Sequence, residues 1–338
     1  MIRTLRLVDF KGHRDSTLQL SRLTALAGPN NTGKTSALRA AELLDRLIHA
    51  HHLSDVFVGP RDHPLLVRRG CQRFRLEFTG SAGTPLTYTS ESPQAGTWTF
   101  GGREIVHNPA RGLAGTGYEQ LLRSVGYFKL TTAQLARPSY SPDEHPPLQP
   151  DGYGLATLID YLKGYAPDRF EALGALAREV IPSIHRLRTR RREVTADLRV
   201  APEHQGRFTS PTAPVAVIGH ELVFDMDHAP NLPALAVSSG ALLTVGLLAL
   251  LLSPTGPKVA LLDDVGLGLH PDAQRRFTSA LRQLLDDDPD LQILLATRSP
   301  HLVDGLEPDE VQLATWDDGA ARVTPREAPG DDAAREAE

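Results

Sequence analysis

The sequence is poorest in sulfur and in bulky aromatics. Its 338 residues include one cysteine, two methionines and two tryptophans. A single thiol, Cys71, excludes an intrachain disulfide and any zinc site built from cysteines, and it suits a reducing cytoplasm. Long apolar runs are also missing. The longest, Ala241 to Leu252, is broken by Thr244 and Gly246 and falls short of the roughly 20 residues that cross a bilayer, so a buried helix and no membrane partner are expected. The N-terminal MIRTLRLVDF alternates charge with apolar residues, where an export signal needs a continuous apolar core. No heptad run is present, which excludes long coiled-coil arms, and there is no internal repeat. The excess of one charge is small, −5 overall, and Glu327 to Glu338 carries most of it with five acids and one arginine. A nearly neutral body would contact nucleic acid only through a local basic patch.

With 41% hydrophobic and 23% charged residues the chain is of ordinary globular composition. Its length calls for one large domain or a core with a lobe, at roughly 100–200 residues per domain. Thr4 to Phe10 and Thr17 to Leu20 alternate as strands do. Leu23 to Ala27 is a short apolar strand leading into a glycine-rich turn, and Ser36 to Ile48 follows with helical spacing at Leu38, Ala41, Leu44 and Ile48. From about 56 to 105 the pattern is that of a β meander. Five prolines in Arg137 to Gly154 mark a connection that is mobile or pinned only on binding. Helical periodicity resumes over Leu155 to Val180, strand-like text over Ser183 to Phe224. Then come a helix at Ala241 to Leu252, a buried strand at Lys258 to Asp263, a helix at Pro271 to Leu285 and a buried strand at Leu291 to Thr297. The expected fold class is α/β, with a head built from residues 1–55 and 225–325, a β-rich and helical insertion over 56–224, and a disordered acidic tail at 326–338.

GPNNTGKT fits the phosphate-loop pattern and lies between an apolar strand and a helix, as the pattern requires. In such a loop, running from Gly28 and Pro29 through Asn30, Asn31, Thr32 and Gly33, the backbone N–H groups of every residue but the proline surround a β-phosphate. Lys34 reaches the β- and γ-phosphates, Thr35 ligates Mg²⁺, and Ser36 opens a helix whose positive end favours anions. The ligands implied are ATP and Mg²⁺.

VALLDDV places two acids at the tip of a buried strand. Asp263 is the candidate to hold the Mg²⁺ hydration shell and Asp264 the candidate to orient water. Ser238, Ser239 and Gly240 open an apolar helix and form an anion site suited to the γ-phosphate of a second subunit. ILLATRSPHLVD supplies another buried strand, ending at Thr297, Arg298 and Ser299.

The strings DFKGH, GPNNTGKT, SSG, LLDDVGLGLHP and TRSPHLVDGL resemble, in order, the N-terminal strand, Walker A, signature, Walker B with D-loop, and switch segments of ABC-type ATPases, within the OLD-like, RecF-like and SMC-like group. PDGYGLATLIDYL through EVIPSIHRL resembles the helical lobe of stand-alone OLD-like ATPases, so the resemblance spans about residues 1–325. It implies a P-loop NTPase head that closes as a homodimer around ATP, with Lys34, Asp264 and Arg298 as catalytic candidates. Lys11, with His13 beside it, falls where such heads reach the nucleotide from the side. Two departures stand out. The family's glutamate after the Walker B aspartate is here Asp264, one methylene shorter, and its switch histidine is Arg298, which cannot relay a proton. Slow hydrolysis is the expectation.

His49, His51 and His52 read as a solvated helix end. Trp98, Trp316 and the tyrosines read as packing residues. Arg186, Arg188, Arg190 and Arg192 share one face if their segment is a strand, and are either a phosphate-contacting stripe or a solvated hairpin. The leading functional expectation is a slow ATPase switch controlling a partner effector, a nuclease or toxin, in bacterial defence or genome maintenance. The alternatives are a RecF-like DNA repair ATPase and an ATP-binding scaffold without turnover.

Overall fold

The computed structural model describes residues 1–50, 52–57, 62–81, 83–105, 113, 118, 124–199, 212–266 and 268–326. They fall into two compact units, residues 1–128, 257–267 and 281–338 in the first, and 129–256 and 268–280 in the second.

The first unit is organised by one sheet of 12 strands. The chain enters through β1 (Ile2–Phe10), β2 (His13–Gln19) and β3 (Leu23–Ala27), turns into helix α1 (Lys34–His49), and then lays down β4 (Phe74–Gly80), β5 (Pro85–Ser90), β6 (Gly96–Phe100), β7 (Arg103–Glu104) and β8 (Val125–Phe128). Residues far along the chain complete it with β12 (Val259–Leu262), β13 (Gln292–Thr297), β14 (Val311–Asp317) and β15 (Ala320–Pro325). The strand order is β7-β6-β5-β4-β1-β2-β15-β14-β3-β13-β12-β8. The neighbours β14, β3, β13, β12 and β8 are parallel throughout, and β3, β12 and β13 are buried at every residue, as apolar runs without alternation predict. The meander strands alternate instead; Phe74, Leu76 and Phe78 of β4 point inward and their neighbours are half-exposed. Helix α1 buries Leu38, Ala41, Leu44 and Ile48 in one stripe with Ala37, Ala40, Leu43 and Leu47, so the spacing that predicts the helix also fixes its packed face.

The second unit contains α2 (Thr132–Leu135), α3 (Leu155–Tyr165), α4 (Pro167–Val180), a three-stranded sheet in the order β11-β10-β9, and α5 (Ser239–Leu252). The helical stretch read as continuous breaks at Ala166, where Pro167 starts a new helix. β9 (Ile184–Arg199) and β10 (Thr212–Met226) form a long hairpin, with β11 (Ala229–Pro233) at its edge. Helix α6 (Pro271–Asp287) and the short α7 (Pro300–Val303) complete the described elements.

Two expectations need correction. The meander is not part of a separate insertion, because β4 pairs with β1 over most of its length and so extends the main sheet. Conversely, the helix at 239–252 belongs to the second unit, so the head does not include all of 225–325. The proline-rich connection is tied to its neighbours: Ser139 pairs with His220 through both backbone bonds, and its hydroxyl lies 2.8 Å from that of Thr157. The acidic tail from 327 and His51 lie outside the described residues.

Candidate nucleotide site

The parallel half of the sheet directs the C-terminal ends of β3, β13 and β12 to one edge, the place where open α/β sheets bind ligands. β3 runs into the loop 28–33, β12 ends just before Asp263, and β13 ends just before Arg298. Residues separated by more than 200 positions thereby meet.

The closest meeting is between Thr35 and Asp263. The Thr35 hydroxyl donates to the carboxylate, 3.0 Å from each oxygen. Asp263 is buried and takes a further hydrogen bond from the Tyr127 hydroxyl at 2.8 Å. Burial and that bond to Asp263 push the Tyr127 phenol above its ordinary value, so it stays a donor. The Arg39 guanidinium lies 3.7 Å from the Tyr127 ring centroid and pairs with Glu42 at 2.6 Å, which fixes the ring from the helix side. Tyr127 gave no signal in the sequence, because β8 is a four-residue strand with no pattern of its own.

Lys34 folds back on its own loop. Its ammonium donates to the carbonyls of Gly28 at 2.8 Å and Pro29 at 2.5 Å. Burial lowers its proton affinity, the carboxylates of Asp264 and Asp263 oppose this, and Arg298 adds to the lowering. Gly33 has φ +90°, and a methyl group there would lie 2.7 Å from Nε2 of His13. That position has to be glycine. His13 itself is fully buried: Nε2 lies 3.1 Å from the Gly33 carbonyl and Nδ1 2.9 Å from the Ser16 hydroxyl. Burial depresses its pKa, with the bond to Gly33 acting the other way, so a neutral ring donating from Nε2 accounts for the contact. His13 therefore supports the loop's backbone at Gly33. Lys11 sits in the turn between β1 and β2 with φ +50°, half-buried, and burial lowers its pKa.

Asp264 has φ +59°, a left-handed conformation that aspartate and asparagine tolerate better than most residues. The turn is pinned to the end of β13, where Val265 N–H donates to the Ala296 carbonyl at 3.0 Å and the Thr297 hydroxyl to the Val265 carbonyl at 2.8 Å. Arg298 is exposed and reaches Asn30 Oδ1 at 3.5 Å, so it stands beside the loop.

In the second unit Ser238 caps α5, accepting from the Ala241 N–H at 3.3 Å. Ser238 and Ser239 are exposed, and Gly240 is buried because a Cβ there would collide with the Gly268 carbonyl. The arginines at 186, 188, 190 and 192 do share one face, opposite Asp225, Val223, Glu221 and Gly219 of β10. Arg188 pairs with Asp225 at 2.6 Å, and Arg190 and Arg192 reach Glu221 at 2.6 and 3.0 Å. Burial of Glu221 is outweighed by those two partners, which hold its carboxyl below the ordinary value. The stripe's charge is thus largely met within the hairpin. His49 is likewise engaged, 3.0 Å from Asp45.

The hydroxyl of Thr35 and the carboxylate of Asp263 form an all-oxygen pair that suits a hard cation such as Mg²⁺. Among the described residues no group of three or more His, Cys, Asp or Glu side chains could hold a metal by itself. No helix of the described residues is long and apolar enough to cross a membrane.

Comparison with known proteins gives the family and the folds that the chain is similar to. The family described as "AAA domain, putative AbiEii toxin, Type IV TA system" matches residues 147–304. No curated protein shows a significant sequence match. Among solved structures, the SMC head bound to the C-terminal winged-helix domain of ScpA superposes with a TM-score of 0.57 at 12% identity, covering 98% of this chain and 99% of that one. The SMC head domain from Thermotoga maritima gives 0.52 at 16% identity, covering 97% and 99%. The Smc head with an extended coiled coil, bound to the C-terminal domain of ScpA derived from Pyrococcus furiosus, gives 0.59 at 11% identity, covering 99% and 98%. The fold is that of the SMC head domains.

Proposed function

We propose that the chain binds ATP with Mg²⁺ at residues 28–36, hydrolyses it slowly, and acts as a switch that closes head to tail as a homodimer. The observation that carries this reading is the meeting of Thr35 with Asp263 at the mouth of a loop bearing Lys34. Thr35 and Asp263 would hold Mg²⁺, and Lys34 would move from its own loop's carbonyls to the β- and γ-phosphates. Bound Mg²⁺ would neutralise charge on the phosphates. Asp264 would orient the attacking water and Arg298 would contribute charge beside the γ-phosphate, but neither reproduces the glutamate and histidine of the family resembled, which supports slow turnover. Ser238 and Ser239, exposed at the start of α5, are the groups available to a γ-phosphate held by a second copy, and Leu235 beside them is 82% exposed, an apolar surface that a subunit interface would cover.

The closed state would control an effector in trans, a nuclease or toxin. A protein partner is in keeping with the ScpA-bound SMC heads, and a toxin with the words of the matching family description. Direct DNA binding through Arg186, Arg188, Arg190 and Arg192 is less favoured, since Glu221 and Asp225 engage three of them. Light scattering with and without saturating MgATP, alongside phosphate release, tests the switch. A protein that stays monomeric with ATP bound would overturn the dimer, and one that binds no ATP would overturn the whole reading.

A further inference from the structure

A phosphate loop reads only the phosphate chain. Its backbone N–H groups, its lysine and its threonine serve any triphosphate equally, so a site that selects a nucleotide needs a second surface for the base. The first unit offers one. Of the two tryptophans, Trp98 is buried in the meander at 6% exposure, whereas Trp316 on β14 is 54% exposed.

Its position follows from strand register. Trp316 lies opposite Ala321 of β15, and Ala321 lies opposite His13 of β2. Directly opposed residues project from the same face of a sheet, and on this face His13 meets the Gly33 carbonyl. The Ala321 methyl lies 2.8 Å from where a Cβ would stand on Gly33 and 3.7 Å from the corresponding point on Gly12, and the Trp316 ring edge lies 2.9 Å from that same point on Gly12. One alanine therefore separates the phosphate loop from the indole. Gly12 leaves the ring its room, and Lys11 precedes it in the same turn.

We propose that Trp316 is the platform on which the base of the bound nucleotide stacks, which makes purine nucleoside triphosphates the ligand class. This rests on the nucleotide-binding reading above and extends it from the phosphates to the base. A bare aromatic face gives stacking without hydrogen-bond readout, so ATP and GTP are held alike, pyrimidine nucleotides less well, and tripolyphosphate least.

The test compares MgATP with magnesium tripolyphosphate. In the Trp98→Phe chain, where Trp316 is the sole indole emitter, ATP is expected to change the emission and tripolyphosphate to bind without changing it. In the full chain, Trp316→Ala is expected to weaken ATP by roughly 5- to 100-fold, the range for one base on one ring, and to leave tripolyphosphate affinity unchanged. Trp316→Phe should restore most of the loss. Unchanged ATP affinity in Trp316→Ala, or equal losses for both ligands, would overturn the platform while leaving the phosphate loop in place. If neither ligand binds the wild type, the nucleotide reading falls and this inference with it.

Discussion

The Tyr127 hydroxyl donates to Oδ2 of Asp263 at 2.8 Å, and the same carboxylate accepts from Thr35. The carboxylate is thereby held by a neutral donor on β8. Removing it with Tyr127→Phe loosens the carboxylate at a cost of about 1–2 kcal/mol, the scale of a hydrogen bond to a charged group. The expected result is a roughly 5- to 10-fold weaker MgATP affinity, with affinity for ATP in EDTA unchanged. Isothermal titration in the two buffers measures both.

Lys34 loses little when replaced in the free protein, because its bonds to Gly28 and Pro29 are made at a partly exposed loop. Under the proposed nucleotide reading, the loss is expected to fall on phosphate binding. Lys34→Ala is expected to reduce ATP affinity by at least about 100-fold, or about 2.8 kcal/mol, with a melting temperature within a few degrees of wild type. Unchanged affinity by calorimetry would remove the phosphate-loop assignment.

Ser239 is exposed at the first turn of α5, so a large cation there leaves the fold alone. Ser239→Arg is expected to abolish ATP-dependent dimerisation and to leave ATP binding by the monomer within about 2-fold. Light scattering that shows normal assembly of this variant would refute the sandwich.

Asp264→Asn keeps a side chain that accepts φ +59° and removes the carboxylate. Stability should stay within about 0.5 kcal/mol, while phosphate release falls by at least roughly 10-fold and the ATP-bound dimer persists longer. A variant that hydrolyses at the wild-type rate would exclude Asp264 as the base.

Asp45 on α1 is a carboxylate whose burial raises its pKa from 3.8 to about 6, with His49 drawing it down. The folded state therefore holds a proton over a range where the unfolded chain has lost it. The contribution of Asp45 to stability is greatest below about pH 4, falls as pH rises toward 6, and is level above that. Asp45→Asn should remove this slope and gain on the order of 1–2 kcal/mol relative to wild type above pH 7. Thermal melts across pH 4–8 check it, and parallel curves for the two proteins would refute it.

What the sequence makes legible here is what short stretches of backbone decide. GPNNTGKT, the two acids closing VALLDDV and the stripe on α1 each carry their structural context in adjacent residues, and each lies in the element expected. The hairpin arginines fall on one face as alternation requires, but Glu221 and Asp225 come from the opposite strand, whose register no local pattern announces. The surroundings of Tyr127 and Trp316 are unreadable for the same reason. Their meaning depends on β8 lying beside β12 and on β15 lying beside β2, pairings that join residues more than 100 positions apart. The misplaced boundary at the meander has this cause too, since only the β1–β4 ladder shows that residues 74–104 extend the main sheet.

β3, which feeds the phosphate loop, is flanked by β13 and β14 and touches no strand made near it in time. A Cβ on Gly28 would collide with the Ala314 carbonyl, so the loop's first glycine is moulded against the chain's late hairpin. On the ribosome the loop at 28–33 is thus made well before both strands that flank β3. A nascent chain halted before Val311 would lack β14, and with it the backbone against which Gly28 is shaped.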